Sequence, residues 1–133
     1  MANQPIFPQE IKSITKKITD TDGVTIVDAF TAGSGGARID SITVVTDEAT
    51  DRTLSLYIND GTNDFLLGKV EVKAGSGTDG TNAAIAVLTT DLLPGLKEDL
   101  SLYLQGGYKL RAGLSAALTA GKILVLTGWA GNY

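Results

Sequence analysis

The chain has 133 residues with neither cysteine nor histidine; one domain of that size can build a core without disulfides or metal, and thiolate ligands, cysteine nucleophiles, the commonest general base and the usual pH switch are all removed. Its formal net charge is −4 with 20% charged residues, enough for solubility. The 11 Lys and Arg are scattered, densest only at Lys16-Lys17, so no phosphate-binding face is legible and nucleic acid is not an expected partner.

In chain order, residues 1–13 read as an N-terminal arm. Pro5 and Pro8 oppose regular structure there, and Ile6 and Phe7 between them are apolar enough to pack on a neighbouring subunit. Residues 14–133 read as one domain of short strands separated by Gly and Asp/Asn clusters, where glycine supplies positive φ and Asp and Asn bond their own backbone. The predicted strands are Ile14–Thr19, Val24–Phe30, Ala37–Thr46, Arg52–Asn59, Phe65–Lys73, Ala83–Thr89, Leu100–Gln105, Lys109–Ser115 and Gly121–Trp129.

Several of them alternate with period two. Leu54, Leu56 and Ile58 oppose Thr53, Ser55 and Tyr57. Leu100, Leu102 and Leu104 oppose Ser101, Tyr103 and Gln105, and Leu110, Ala112 and Leu114 oppose Lys109, Arg111 and Gly113. This is the pattern of antiparallel strands with one buried face. Ile123–Leu126 is apolar on both faces, as in a central strand or one whose outer face meets a partner. The only helical turn expected lies within Thr90–Asp99, and Pro94-Gly95 cuts it short. The expected fold is all-β, an antiparallel β-sandwich of jelly-roll type with about eight strands.

The longest apolar runs fall far short of a bilayer span of roughly 20 residues, so no membrane is expected. The start Met-Ala-Asn-Gln-Pro-Ile-Phe-Pro lacks the basic and apolar regions of a signal peptide, and synthesis in the cytoplasm is the expectation.

Chemistry finds little footing, and the chain is expected not to be an enzyme. No His- or Cys-based triad can form. A Ser–Lys pair would have to use Ser13 with Lys12 or Lys16, at a spacing with no special meaning. The 15 acids fall mostly in turn sequences, where they build turns rather than a hydrolytic carboxylate pair. Asp20, Asp22, Asp60, Asn63, Asp64 and Asp79 are loop oxygen donors of the kind calcium takes. Glycine stands fourth in Asp20-Thr21-Asp22-Gly23 and third in Asn59–Asp64, which does not match the helix–loop–helix calcium motif; an irregular loop site is left open. Gly33-Ser34-Gly35-Gly36 and Gly75–Gly80 are followed by strands rather than a helix N-terminus, and read as turns rather than phosphate cradles. No cofactor is expected, and no catalytic or metal residue is assigned.

Tyr57, Tyr103 and Tyr108 fall on or beside outward strand faces, and Trp129 and Tyr133 close the chain. Such aromatics anchor interfaces, because they combine large area with a polar handle. Ile6, Phe7, Tyr57, Tyr103, Trp129 and Tyr133 are therefore the candidate interface residues.

Three segments carry a family resemblance. They are Leu54–Gly68, reading Leu-Ser-Leu-Tyr-Ile-Asn-Asp-Gly-Thr-Asn-Asp-Phe-Leu-Leu-Gly; Asp99–Leu110, reading Asp-Leu-Ser-Leu-Tyr-Leu-Gln-Gly-Gly-Tyr-Lys-Leu; and the ending Gly128-Trp129-Ala130-Gly131-Asn132-Tyr133. Together they resemble small virion structural proteins of tailed bacteriophages, in particular capsid decoration (cement) proteins. The resemblance spans roughly residues 40–133 and implies a β-sandwich that binds the major capsid protein on the virion surface. It further implies a homotrimer and a terminal arm, for which residues 1–13 would serve. No motif separates a head protein from a tail or neck component, and a carbohydrate-binding jelly-roll module is the competing reading.

Overall fold

A computed structural model describes residues 9–89 and 101–133 of the protein. Among the described residues nine strands run in chain order, with one 3-10 turn at Asp20–Asp22: β1 (Glu10–Thr19), β2 (Val27–Thr31), β3 (Ala37–Thr46), β4 (Arg52–Asn59), β5 (Asp64–Val72), β6 (Ile85–Ala86), β7 (Leu102–Leu104), β8 (Lys109–Leu114) and β9 (Ile123–Asn132). They form two antiparallel sheets, one in the order β1-β9-β3-β6 with β7 also on β3, the other in the order β2-β8-β4-β5.

This strand order is that of a jelly roll, in which each sheet draws neighbours from opposite halves of the chain. The expected eight strand positions hold nine strands because one position is split. β6 pairs with β3 at Thr43 and Val44, and β7 pairs with it at Ala37–Ile39. The Val87 amide still donates to the Ile42 carbonyl at 3.0 Å before the chain leaves the sheet. The turn expected within Thr90–Asp99 lies outside the described residues, as does Leu100.

The core sits between the sheets, which in such sandwiches pack about 10 Å apart. Ile14, Ile18, Ile39, Ile42, Val44, Leu124 and Leu126 face inward from the first sheet. Leu54, Leu56, Val70, Val72, Leu110, Ala112 and Leu114 face inward from the second. The alternation read from β4 and β8 is therefore the alternation that packs. Each large side chain so buried stabilises the fold by roughly 1.5–3 kcal/mol relative to exposure.

The strand limits differ from those predicted in instructive places. β1 starts at Glu10, so residues 10–13, expected in the arm, pair with β9 from Asn132 to Trp129. β9 runs on to Asn132 because β1 and β3 flank it on both sides, which settles Ile123–Leu126 as part of a central strand. The strand predicted over Ala83–Thr89 keeps only Ile85–Ala86, since the chain turns off the sheet. Tyr108, expected on an outward face, packs partly buried against the core.

Asp40 forms a bulge in β3, with Ile39 opposite Ala130 and Ser41 opposite Trp129. A bulge crowds the facing strand. Gly128 answers that crowding, because a Cβ there would run into the Ser41 carbonyl.

Candidate interaction surface

The outer face of the second sheet carries a network of ion pairs, with Leu66 55% exposed beside it. Arg111 on β8 lies opposite Asp28 on β2 and Tyr57 on β4. Its Nε meets Asp28 Oδ1 at 2.8 Å, one terminal nitrogen meets Asp64 Oδ2 at 3.0 Å, and the other donates to the Ile26 carbonyl at 3.0 Å. Lys109 Nζ reaches Asp28 Oδ2 at 3.2 Å, and Asn59 Nδ2 donates to Asp64 Oδ1 at 2.8 Å. Partial burial raises the Asp28 pKa, but the cations Lys109 and Arg111 outweigh it and hold the carboxyl below its ordinary value. Tyr57 is half-buried on this face beside Leu66, its partner on β5.

The outer face of the first sheet is built differently. Period-two alternation turns Ser13 and Thr15 of β1, Ser41 and Thr43 of β3, and Thr127 and Trp129 of β9 outward. They line a shallow depression of about 280 Å3 that carries no charged side chain. None of the five hydroxyls has a side-chain hydrogen bond among the described residues. Trp129 stands 63% exposed at its end. Ile11, 88% exposed, lies diagonally across the β1–β9 ladder from it, within reach of an aromatic ring.

Tyr103 is exposed on the same sheet and pairs with Arg38, whose Nε meets Asp40 Oδ1 at 2.8 Å. Tyr133 is half-buried beyond the end of β9, and its pKa is raised, first by burial and then by its neighbour Tyr103.

The candidate interface residues thus separate. Trp129 and Tyr103 share the first sheet, Tyr133 lies against Tyr103, and Tyr57 belongs to the opposite sheet. Ile6 and Phe7 lie outside the described residues. Ile11 joins Trp129 although sequence reading left it in the arm; its apolarity at an odd position, in step with Ser13 and Thr15, was the available signal.

The loop acids spend their oxygens on backbone. Asp60 Oδ1 accepts from the Thr62 and Asn63 amides at 2.9 and 2.8 Å, and Asp79 Oδ1 accepts from Thr81 and Asn82 at 2.8 Å each. Those amides lower both pKa values. Asp22 Oδ2 accepts from the Thr19 amide at 2.8 Å, and Asp20 Oδ2 from Gly121 at 3.2 Å. Among the described residues no three acids stand together at metal-ligating distance.

Ser13 points away from both Lys12 and Lys16, because odd and even residues of β1 take opposite faces. Lys12 instead pairs with Glu10 at 2.7 Å. The Gly33–Gly36 loop packs on the chain end, with the Gly33 amide on Asn132 Oδ1 at 3.1 Å and the Tyr133 amide on the Gly36 carbonyl at 3.0 Å.

Glu48 is the acid that sequence reading missed. It is fully buried in the turn between β3 and β4 and accepts from the Thr119 amide at 2.8 Å and the Thr119 hydroxyl at 2.6 Å, with Arg52 at 3.4 Å. Burial raises its pKa, but Thr119 and Arg52 together pull it below the ordinary value. It ties the β3–β4 turn to the loop between β8 and β9, and no local pattern announces a contact between residues so far apart in sequence.

No protein-family model matches the chain, and no curated protein matches it in sequence. Among solved structures the chain is similar to one in the acidic stable capsid structure of Helicobacter pylori bacteriophage KHP30. That likeness has a TM-score of 0.61 at 9% identity and covers 94% of this chain and 90% of that one. A looser likeness, at TM-score 0.36 and 10% identity, is to the Eiger TNF from S. frugiperda, over 90% of this chain and 93% of that one. At 9% identity the capsid chain shares the fold, and the two are of closely similar length.

Proposed function

We propose that this protein is a structural component of a bacteriophage virion, a decoration protein that binds the major capsid protein and reinforces the head shell as a homotrimer. The observation that carries the reading is the fold shared, nearly end to end in both chains, with a chain from a phage capsid structure. The segments that resemble phage virion proteins favour the same reading, as does an exposed tryptophan at the edge of an uncharged depression. A rotationally symmetric trimer matches a threefold docking site, and many such contacts across a shell add up even when each is weak. The work is done by protein–protein contact, without catalysis or cofactor, on the outside of the particle.

The test is co-sedimentation of the purified protein with heads that lack it, alongside the mass of the free protein. Saturable binding at a fixed ratio to the capsid subunit is expected, with a free species of three chains. Absence of binding to heads would remove the decoration reading, and binding to tails instead would reassign the protein within the virion.

A further inference from the structure

Resting on that capsid reading, we infer that the domain seats on the shell through the outer face of the β1-β9-β3 sheet, centred on Trp129, with the β2-β8-β4-β5 face turned to solvent. The partner it fits is an uncharged patch of capsid-subunit surface, with an apolar socket for the indole and hydrogen-bonding groups for the ring of hydroxyls.

Three observations choose this face over the other. The hydroxyls of Ser13, Thr15, Ser41, Thr43 and Thr127 have no side-chain partners among the described residues, so a partner surface gains hydrogen bonds without breaking any within the domain. On the opposite face Arg111, Lys109, Asp28 and Asp64 are already ion-paired with one another, and a docking partner would have to desolvate that network. The chain outside the described residues also leaves from this face's corner. The Gln9 amide meets the Asn132 carbonyl at 2.6 Å, beside Ile11, which places the attachment point of residues 1–8 there.

The experiment uses heads built from the major capsid protein of the genome that encodes this chain. Four proteins are titrated onto them: the wild type, Trp129→Ser, Thr43→Arg, and Leu66→Arg on the opposite face, each checked for an unchanged melting curve and for its mass in solution. We expect Trp129→Ser and Thr43→Arg each to weaken binding at least tenfold, as central interface positions do, and Leu66→Arg to stay within twofold. Wild-type protein that fails to bind sinks the capsid reading itself. Wild-type binding that survives both first-sheet variants and is lost with Leu66→Arg keeps the capsid reading and overturns the choice of face. Loss of the free oligomer in Trp129→Ser or Thr43→Arg assigns the face to a second copy of the chain, and also overturns the proposal.

Discussion

The two outer faces of the sandwich come from the same alternation of inward and outward residues, and they end in opposite states. On the second sheet, four charged groups, Asp28, Asp64, Lys109 and Arg111, are spent on one another. On the first, the central outward positions are Ser, Thr and one Trp, and the hydroxyls are spent on nothing within the described residues. Charges already paired within the domain gain little from a partner that must desolvate them. A face of open hydroxyls around an exposed indole is stable in water and able to exchange that water for another surface. Substitutions within the ion-pair network of the second sheet should therefore cost folding stability, and those of the outward Ser, Thr and Trp side chains of the first should spare it.

The largest effect is expected where the comparison depends on backbone. Gly128→Val drives a side chain into the Ser41 carbonyl at the β3 bulge and should displace the ladder that presents Trp129. A loss of about 3 kcal/mol or more in urea unfolding is expected. A cost under about 1 kcal/mol would mean that β3 and β9 tolerate separation, and that the first face is not rigidly built.

Glu48→Ala comes next. It removes the acceptor for both Thr119 groups and the partner of Arg52, at a site with no solvent exposure. Breaking such a buried arrangement costs about 3 kcal/mol. Because this tie lies at the loop end of the sandwich, the depression at Trp129 should survive, which a tryptophan fluorescence spectrum unchanged before the transition would report.

Acid tests the same tie from the other side. The Glu48 pKa is depressed in the folded state below its ordinary 4.5. Its contribution is therefore full above pH 4.5 and is lost as pH falls through the lower folded value. With no histidine, the melting midpoint should be level between about pH 5 and 8 and fall below that. Glu48→Gln should be less stable than wild type at pH 7, and the gap should narrow as the wild-type carboxyl is protonated. A gap that stays constant to pH 3 would show that the charge on Glu48 contributes nothing.

These contacts also show how much the sequence could reveal. Strand positions were legible because period-two alternation in segments such as Leu54–Ile58 and Leu110–Leu114 is set by burial on one side, and burial is what the fold imposes. The jelly roll followed from strand count and turn spacing. Strand ends were less legible: Glu10–Ser13 and Ala130–Asn132 look weak alone and become strand because each pairs with the other. The site was legible only in part. Trp129 and Tyr103 announce themselves by type, but a tyrosine on β4 and one on β7 look alike until the sheets separate them. The Ser/Thr depression draws on three strands far apart in the chain, and no local pattern marks it.

The smaller effects divide the two faces most cleanly. Arg111→Met should cost about 1 kcal/mol, since the pairs it makes are only partly buried. The difference from wild type should shrink in about 1 M salt, where exposed charges are screened. Trp129→Ser should cost least, within about 0.5 kcal/mol, because the indole is mostly in water and its outward position is not part of the core. The reading must include the dependence on urea as well as the midpoint, to exclude a change in the unfolded ensemble. If Trp129→Ser instead costs about 2 kcal/mol, the indole is a cover for the sandwich rather than a group held ready for a partner. The contrast between a closed face and an open one would then fail at its central residue, even with Arg111 behaving as described.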